Sequence, residues 1–598
     1  METELAGTGG RGLWLLLLLT LLVRVPFLNQ AIQGDDHIYI SEAEHALVDP
    51  LHPNNVKYVF MGDEVDLRGH PHPPGNAWAL AGLLLIFGDV KEVPFHAAYM
   101  AFSLFAVWAM WTVARRFSRR PVRASLLFIA VPAFLVNGNS LEADLPFLAF
   151  WMASVALFTW GGPAGPPRKV RRLAATVCLG VATMIAYQAI FLVPILAVYL
   201  WLFDRKNRAA WLLLLVPPLT FAGWQVFTRL TTGALPAEQL AGYLSSYGFN
   251  ALARQLSGAL MLLIHSWFIV FPILVPFAIV ALWRRRREPE TMFLAAWVAI
   301  FLACGAVIFF AGSARYLLPI AAPVAILAAR VPSKLLAAGI ALQFVLGLGL
   351  AAANYQHWDG YRTFAAALRF PEGGHRVWVD NDWGLRYYLQ ARGALPARKG
   401  LRVRPGDIIV SSELGSNVAL TVPLAPVAAA LIQPSVPLRL IGLESRSGYS
   451  TVSKGFWPFG ISTGPVDRIH ARQVMERHPT MEYVTPKSPG ASEQMVSGVY
   501  PNDGWMSRVA VLALKEPSTP KVLRAEIYVP DNAKARQVTL LLDGREVAAR
   551  TLPGPGKYTI DSAGVLRGST AEIRVDQTFR APGDQRDLGA VLLGVGFK

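Results

Sequence analysis

The 598-residue chain is poor in charged residues and in cysteine. Charged side chains make up 16% of it, against roughly 25% in an ordinary soluble protein. Apolar residues make up 53% and are concentrated in about the first 350 positions, which predicts a polytopic membrane region followed by a soluble remainder. The two cysteines, Cys178 and Cys304, lie in apolar stretches, which excludes a metal-thiolate site and disfavours a disulfide.

Apolar runs predict about 11 transmembrane helices with approximate boundaries. They cover residues 12–29, 93–114, 124–138, 143–160, 173–187, 188–203, 209–228, 258–283, 291–311, 314–330 and 333–353. The first is expected to be an uncleaved helix rather than a signal peptide, because many spans follow it. The run between Pro74 and Gly88 is short for a span and predicts an interfacial helix.

Basic residues cluster in alternate short loops, at 115–123, 168–172, 205–208, 284–287 and 330–334. This pattern is typical of cytoplasmic loops and does not require nucleic acid as a partner. The loop 30–75 has only Lys57 and Arg68 as basic residues, against eight acidic ones. The asymmetry predicts a cytoplasmic N-terminus and an external loop 30–75. With an odd number of spans the tail is also external, whereas an even number would place it inside.

The soluble tail is expected to form two extracytoplasmic domains after a catalytic domain at 1–354 with an outer loop at 30–92. Residues 355–464 predict an α/β domain, since strand-like runs flank a helix-like run that stops at Gly393. Residues 465–598 contain short strand-like runs with turn signals between them, including Asp543-Gly544. They predict a β-sandwich that looks like a jelly roll.

Two adjacent carboxylates, Asp35 and Asp36, follow the first apolar run directly. Carboxylates at the edge of a membrane are costly in lipid and useful if they face water and a substrate. At such a boundary burial can raise the pKa of an aspartate, which suits it to act as a base. The alternative is that Asp35 caps the helix that begins near Tyr39.

Glu142-Ala-Asp144 falls on the same predicted outer side, between the third and fourth spans. Asp144 is a second candidate catalytic carboxylate. It also precedes Leu145-Pro146, so it can instead cap the fourth span.

Cationic and imidazole groups on the outer side are candidates to bind phosphate. Arg315 lies where cations are otherwise sparse, and an arginine there can clamp a phosphate or bind lipid headgroups. Arg68, His70 and His72 precede the interfacial helix, and the two histidines can bind a metal, bind phosphate or only rim a loop. Arg24 also lies near the predicted outer boundary, at the end of the first span, and has the same two alternatives as Arg315.

In these residues the chain resembles the GT-C superfamily of polyprenyl-phosphate-dependent glycosyltransferases, near the bacterial branch of protein O-mannosyltransferases and the lipid A aminoarabinose transferase. The resemblance covers about residues 12–353. It rests on short motifs in a fixed order: Arg24 and Pro26, the Asp35-Asp36 pair with Tyr39, His72-Pro73-Pro74, Asp144, and Arg315-Tyr316-Leu317-Leu318-Pro319.

The resemblance implies a multi-pass enzyme of the bacterial inner membrane with its tail in the periplasm. The donor would be a sugar on a polyprenyl phosphate, the acceptor a protein, glycan or lipid, and the transfer inverting with Asp35 as base. Some relatives bind a divalent metal near this loop and others do not, so the cofactor stays open; Asp36, His70 and His72 are the candidate ligands. The second acidic position is commonly Glu in the family and is Asp36 here.

Two other kinds of protein fit parts of the pattern. One is a non-enzymatic transporter or scaffold for lipid-linked glycans. Transporters usually place ionisable residues mid-bilayer in broken helices, whereas the acids here lie at one boundary. The other is a glycan-binding module with a membrane anchor, but about 11 spans exceed what an anchor needs.

Overall fold

A computed structural model describes residues 5–160, 167–309, 311–371, 374–418, 422–476, 478–531, 536–581 and 586–598. Its N-terminal region is helical. The helices there are α1 (Leu5–Arg24), α2 (Asp36–Ala46), α3 (Gly75–Phe87), α4 (Glu92–Phe117), α5 (Pro121–Ile129), α6 (Pro132–Asn137), α7 (Asp144–Thr159), α8 (Arg168–Ile185), α9 (Leu192–Phe203), α10 (Arg208–Leu213), α11 (Val216–Thr232), α12 (Pro236–Ser246), α13 (Leu252–Ser266), α14 (Leu274–Arg284), α15 (Pro289–Ile308), α16 (Leu318–Ala328) and α17 (Ser333–Ala367).

Among the described residues, five helical stretches are long and apolar enough to cross a membrane. They are Gly10–Phe27, Glu92–Phe117, Arg208–Thr232, Pro289–Ile308 and Ser333–Ala367. Shorter apolar helices accompany them at Gly75–Phe87, Asp144–Thr159, Tyr187–Phe203, Leu274–Arg284 and Ala314–Ala328. Several predicted spans are therefore present as shorter helices, and α3 forms where the sequence predicts an interfacial helix.

Three predicted spans are interrupted. The span at 209–228 is divided into α10 and α11, the span at 124–138 into α5 and α6, and the span at 258–283 into α13 and α14. Pro132 begins α6, and Pro272 lies between α13 and α14. Proline has no backbone N–H to donate and clashes with the preceding helical turn, which explains the breaks at these two prolines.

The two ends of the helical region differ in charge. At one end, Arg116 contacts Glu290 at 3.8 Å and Arg120 donates to the Val331 carbonyl at 2.7 Å, so the arginine-rich loops lie together. At the opposite end of α4, Glu92 accepts from Arg362 of α17 at 2.9 Å. We call these ends the basic face and the site face.

The tail lies on the site face, against loop 30–75. The backbone N–H of Met61 donates to Asp382 at 2.8 Å, and the N–H of Ile32 donates to the Tyr388 hydroxyl at 2.7 Å. Lys399 pairs with Asp63 at 2.5 Å. Loop 30–75 and the tail therefore lie together at one end of the helical region.

The contact surface of loop 30–75 is a hairpin of β1 (Lys57–Phe60) and β2 (Asp63–Asp66). The first part of the tail contains β3 (Val377–Asp380), α18 (Gly384–Gln390), β4 (Leu395–Pro396), β5 (Ile408–Ser412), β6 (Leu424–Ile432), β7 (Leu438–Arg439), β8 (Gly460–Ile461) and β9 (Asp467–Val474). One sheet has the order β4-β3-β5-β9-β6 and is parallel only along β4-β3-β5. Since β9 belongs to this sheet, the sheet extends past position 464, where the sequence predicts the first tail domain to end.

The last part of the tail contains β10 (Tyr483–Val484), α19 (Ala491–Gln494), β11 (Met495–Val499), β12 (Met506–Ala513), β13 (Lys521–Val529), β14 (Arg536–Leu542), β15 (Arg545–Leu552), β16 (Gly556–Leu566), β17 (Thr570–Val575) and β18 (Val591–Phe597). Two antiparallel sheets, β10-β18-β13-β16 and β11-β12-β17-β14-β15, enclose one apolar core. The predicted sheet-rich C-terminal region is thus confirmed, and Asp543-Gly544 makes the predicted hairpin turn.

Arg24 joins α1 to the end of α6. Its guanidinium is buried and donates to the carbonyls of Leu135 and Phe134 in the last turn of α6, where the Phe134 carbonyl also accepts the N–H of Gly138 at 3.2 Å. A Cβ atom at Gly138 would lie 1.7 Å from the guanidinium carbon. Only glycine fits there, and Arg24 acts as a helix-end partner rather than as a second phosphate ligand.

We expect Gly138→Ala to lower the free energy of unfolding by roughly 1–3 kcal/mol, because Arg24 has to move from its carbonyl partners. Thermal unfolding of the detergent-solubilised protein measures this. The control is Gly223→Ala in α11, where a Cβ would have open space, and which should be neutral or slightly stabilising. Equal melting temperatures for both variants would contradict the close approach.

Candidate functional site

The loop that carries the acid pair is fixed by Asp36. This side chain is fully buried, and its two oxygens accept the backbone N–H groups of Gln33 at 3.0 Å and Leu141 at 2.8 Å. Burial raises the pKa of Asp36 to about 8, although both N–H donors favour the carboxylate. Asp36 therefore ties the first outer loop to the loop before α7, and its carboxyl is directed into the protein.

Asp35 faces the other way and meets Arg315. Its Oδ2 lies 2.9 Å from Nη2 of Arg315, and its side chain is 32% exposed. Arg315 lies on a short turn at Ala314–Leu317, just before α16. The acid pair is thus divided by burial, with Asp36 inside and Asp35 at the surface.

Glu142 completes the centre of the cluster. Its Oε2 accepts from Nη1 of Arg315 in a short hydrogen bond, and its Oε1 accepts the N–H of Asp35 at 3.1 Å. Gly34 has a φ of +44°, and a Cβ there would lie 2.6 Å from Glu142 Oε1. Burial raises the pKa of Glu142, while the Arg315 guanidinium acts against that rise.

Asp144 is the outermost partner of the arginine. Its Oδ2 lies 3.8 Å from Nε of Arg315, which is too long for a hydrogen bond. Within the described part of the chain, this buried Nε–H has no hydrogen-bond partner. We call Asp35, Glu142, Asp144 and Arg315 the Arg315 cluster; it sets three carboxylates against one guanidinium.

Helix capping does not explain these carboxylates. Asp35 precedes α2 and Asp144 is the first residue of α7. Across the described residues, neither α2 nor α7 has a side-chain hydrogen bond from its N-cap residue. The capping alternative therefore fails for both residues.

The tail closes over the arginine turn through Tyr449. Its carbonyl accepts the N–H of Ala314 at 2.8 Å and the hydroxyl of Ser313 at 2.9 Å. Its own hydroxyl donates to Asn137, whose amide lies 3.4 Å from Glu142 Oε2. A residue of the tail thus orients the turn that carries Arg315.

The predicted phosphate ligands near α3 have other partners. Arg68 pairs with Asp66 through Nε at 3.0 Å and through Nη2, and its Nη1 donates to the Thr232 carbonyl at 3.2 Å. His72 Nδ1 lies 3.2 Å from the Ile185 carbonyl, and burial lowers the pKa of His72 well below its ordinary value. Arg68 holds the hairpin against α11, and His72 is neutral.

The candidate metal ligands do not come together. His70 and His72 lie with ring centres 5.2 Å apart, but His70 Nδ1 contacts Glu42 at 3.0 Å and Asp36 is occupied by backbone N–H groups. In the ranges that the structure describes, no group of three or more His, Cys, Asp and Glu side chains is placed to hold a metal. The predicted ligand set does not fit a metal.

The sequence predicts Asp35 and Arg315 as site residues but does not show which carboxylate pairs most closely with Arg315. Glu142 lies two positions before the predicted site residue Asp144, and only the Glu-x-Asp pattern indicated it. No sequence pattern indicated Asn137 or Tyr449, because an amide or a phenol in apolar surroundings is usually a packing residue.

A model of the dolichyl-phosphate-mannose-protein mannosyltransferase family matches residues 71–227. Among solved structures, ArnT from Cupriavidus metallidurans in the apo state is similar at 16% identity, over 71% of this chain and 96% of that one, with a TM-score of 0.47. ArnT bound to undecaprenyl phosphate is similar at 14% identity, over 69% and 94%, with a TM-score of 0.46. The oligosaccharyltransferase of Archaeoglobus fulgidus, tethered to an acceptor peptide, is similar at 13% identity, over 98% and 95%, with a TM-score of 0.42. A comparison with curated proteins found no match.

The family match covers about a quarter of the chain and agrees with the predicted superfamily and enzyme class. The long apolar helices indicate a multi-pass membrane protein. The matched segment begins at the His72-Pro73-Pro74 motif and runs through α3 to α11, so it includes Glu142 and Asp144. The transporter and scaffold alternative does not account for this match.

Glu142→Gln should destabilise the protein more than Asp144→Asn. Each oxygen of Glu142 faces N–H donors, so a Gln amide group would meet a donor and leave a buried N–H unsatisfied, at a cost of roughly 1–3 kcal/mol. Asp144 makes only a long ion pair, so its neutral variant should lose less than about 1 kcal/mol. Melting temperatures in one detergent measure both, and a larger loss for Asp144→Asn would contradict this order.

Asp382 should make the docking of the tail on loop 30–75 sensitive to pH. Burial raises the pKa of Asp382 to about 6, above its ordinary value of 3.8. A raised carboxyl pKa stabilises the fold below pH 3.8, and this contribution is lost as pH rises through about 6, by at most roughly 3 kcal/mol. The fall in melting temperature between pH 5 and pH 7 should be smaller in Asp382→Asn than in the wild type.

The control is Asp63→Asn on the facing hairpin, which should keep the wild-type pH dependence. Identical pH profiles for wild type and Asp382→Asn would refute the assignment.

Proposed function

We propose that the chain transfers a sugar from a polyprenyl-phosphate donor to an acceptor at the site face, with inversion at the anomeric carbon. The donor class is supported by the family match, whose description names a dolichyl phosphate, which is a polyprenyl phosphate. The acceptor is a protein, glycan or lipid. The proposed location is the bacterial inner membrane, with the site face in the periplasm.

The observation that carries this proposal is the exposure of Asp35. Among the three carboxylates of the Arg315 cluster it is the most exposed, at 32% against 4% for Glu142 and 10% for Asp144. A carboxylate at the surface can reach the proton of an incoming acceptor, whereas a buried one cannot. Asp35 is the proposed general base.

In the proposed reaction the acceptor heteroatom attacks the anomeric carbon as Asp35 takes its proton. The bond from that carbon to the phosphate oxygen breaks, and its electron pair leaves with the polyprenyl phosphate. The developing charge on the phosphate needs a positive partner. Arg315 is that partner, because its Nε–H is the donor that the cluster leaves without a hydrogen bond.

The other predicted residues take supporting roles in this proposal. Asp36 holds the loop, and Glu142 orients both Asp35 and Arg315. Asp144 lies beside the Arg315 Nε–H, so it sets the position that a phosphate oxygen would approach. The single N–H of neutral His72 is at Nδ1 and is donated to the Ile185 carbonyl, so its Nε2 has no proton for a phosphate, and Arg68 is paired with Asp66.

Asp35→Asn should abolish transfer, with a loss of at least about 100-fold, because removing a general base costs 10²–10⁴-fold. The measurement is sugar transfer by purified protein in liposomes that contain polyprenyl-phosphate-linked sugars. Melting temperature should change little, since Asp35 is partly exposed.

The matched control is Asp63→Asn, an acid of the same loop that pairs with Lys399 at the surface. It should keep near wild-type transfer. Full activity in Asp35→Asn would sink the base assignment, and equal losses in both variants would point to a general effect of charge in this loop.

A further inference from the structure

A turn in the tail presents large apolar side chains on its surface. We call residues 455–461 the aromatic turn; their sequence is Gly-Phe-Trp-Pro-Phe-Gly-Ile. Phe456 is 45% exposed, Trp457 56% and Ile461 82%. Exposing a contiguous set of large apolar side chains to water is unfavourable, so such a surface indicates a partner.

The aromatic turn is held at one place by the helical region. His265 of α13 donates to the Phe456 carbonyl at 2.9 Å, and the rings of Phe268 and Phe459 pack with centres 5.5 Å apart. The Trp457 carbonyl accepts the N–H of Gly448 at 2.9 Å. Two backbone carbonyls of the aromatic turn therefore accept hydrogen bonds within the protein, as a backbone at membrane level requires.

The depth of these contacts follows from the predicted spans. His265 lies seven positions inside the span predicted at 258–283, which corresponds to about 10 Å along a helix. Pro458 and Phe459 line a small cavity with Val131 and Pro132, which lie six or seven positions inside the span predicted at 124–138. Contacts with two predicted spans thus support a position of the aromatic turn below the predicted outer boundary of the membrane.

The neighbouring helix surface has the same character. On α13, apolar side chains spaced three or four positions apart point outward: Leu256 is 62% exposed, Leu260 51%, Leu263 52% and Trp267 49%. This spacing forms one helix face, and an apolar face on a membrane helix is in contact with lipid. That face runs from Leu256 to Trp267, so it spans the level at which His265 of the same helix contacts the aromatic turn.

We propose that the aromatic turn inserts into the outer-face leaflet of the bilayer and is a lipid-binding element of the tail. Its partner is the boundary between lipid headgroups and acyl chains, where tryptophan and phenylalanine are favoured. The apolar side chains that α13 exposes at the same level favour lipid over a protein partner. The proposal rests on the membrane location of the helices and not on the identity of the reaction.

Insertion also connects the bilayer to the Arg315 cluster. Tyr449 lies six positions before the aromatic turn and binds Ser313 and Ala314 through its carbonyl. Lipid that holds the turn in place therefore holds Tyr449 on the arginine turn.

Site-directed spin labelling tests insertion. In a Cys178→Ala/Cys304→Ala background, Trp457→Cys is labelled and the full chain is placed in nanodiscs at one copy per disc. Power saturation then compares access of oxygen, which concentrates in lipid, with access of a water-soluble nickel chelate. Leu260→Cys on α13 is the lipid reference, and Val565→Cys, at a position 61% exposed on the sandwich, is the water reference.

We expect the label at 457 to resemble the one at 260, with high oxygen and low nickel access. Nickel access equal to that at 565 overturns the proposal. Low access to both reagents also overturns it, because protein and not lipid would then cover the turn. Ile461→Cys gives the same comparison if Trp457→Cys does not fold. None of these readouts depends on transfer activity, so they stay valid if the proposed reaction is wrong.

Discussion

The ion pairs of Arg315 are the constraint on which the site depends. A guanidinium at the edge of a membrane loses hydration, and it is stable there only with anionic partners close by. Those partners come from two separate loops, and Tyr449 of the tail holds the turn from a third direction. Removing the arginine would leave buried carboxylates uncompensated, so the same interaction that shapes the site also joins three distant parts of the chain.

Hydropathy and charge predicted much of the membrane region because both are local properties of the chain. α4, α15 and α17 appear where long apolar runs stand, and the basic loops gather at one face. The breaks at Pro132 and Pro272 were not predicted, because a proline inside an apolar run reveals a break only when the packing around it is known. The tail was predicted well where strands alternate, as at the Asp543-Gly544 hairpin.

The site residues also divide into those that the sequence predicts and those that it does not. Asp35 and Arg315 stood out because a charge beside an apolar run is visible in the sequence. Which carboxylate meets the arginine was not visible, since Glu142 and Asp144 differ by two positions and only the backbone path selects Glu142. Arg68 was assigned to phosphate, although its partner Asp66 stands two positions away. Tyr449 contributes through its backbone carbonyl, which no side-chain pattern can indicate.

The length of α17 has a mechanical consequence. This helix runs for 35 residues without interruption, about 50 Å, from the basic face into the tail. A continuous helix bends little, and sharp kinks need a proline, a bulge or an inserted group. The first residues of the tail therefore leave the membrane region in a fixed direction and at a fixed distance from the basic face.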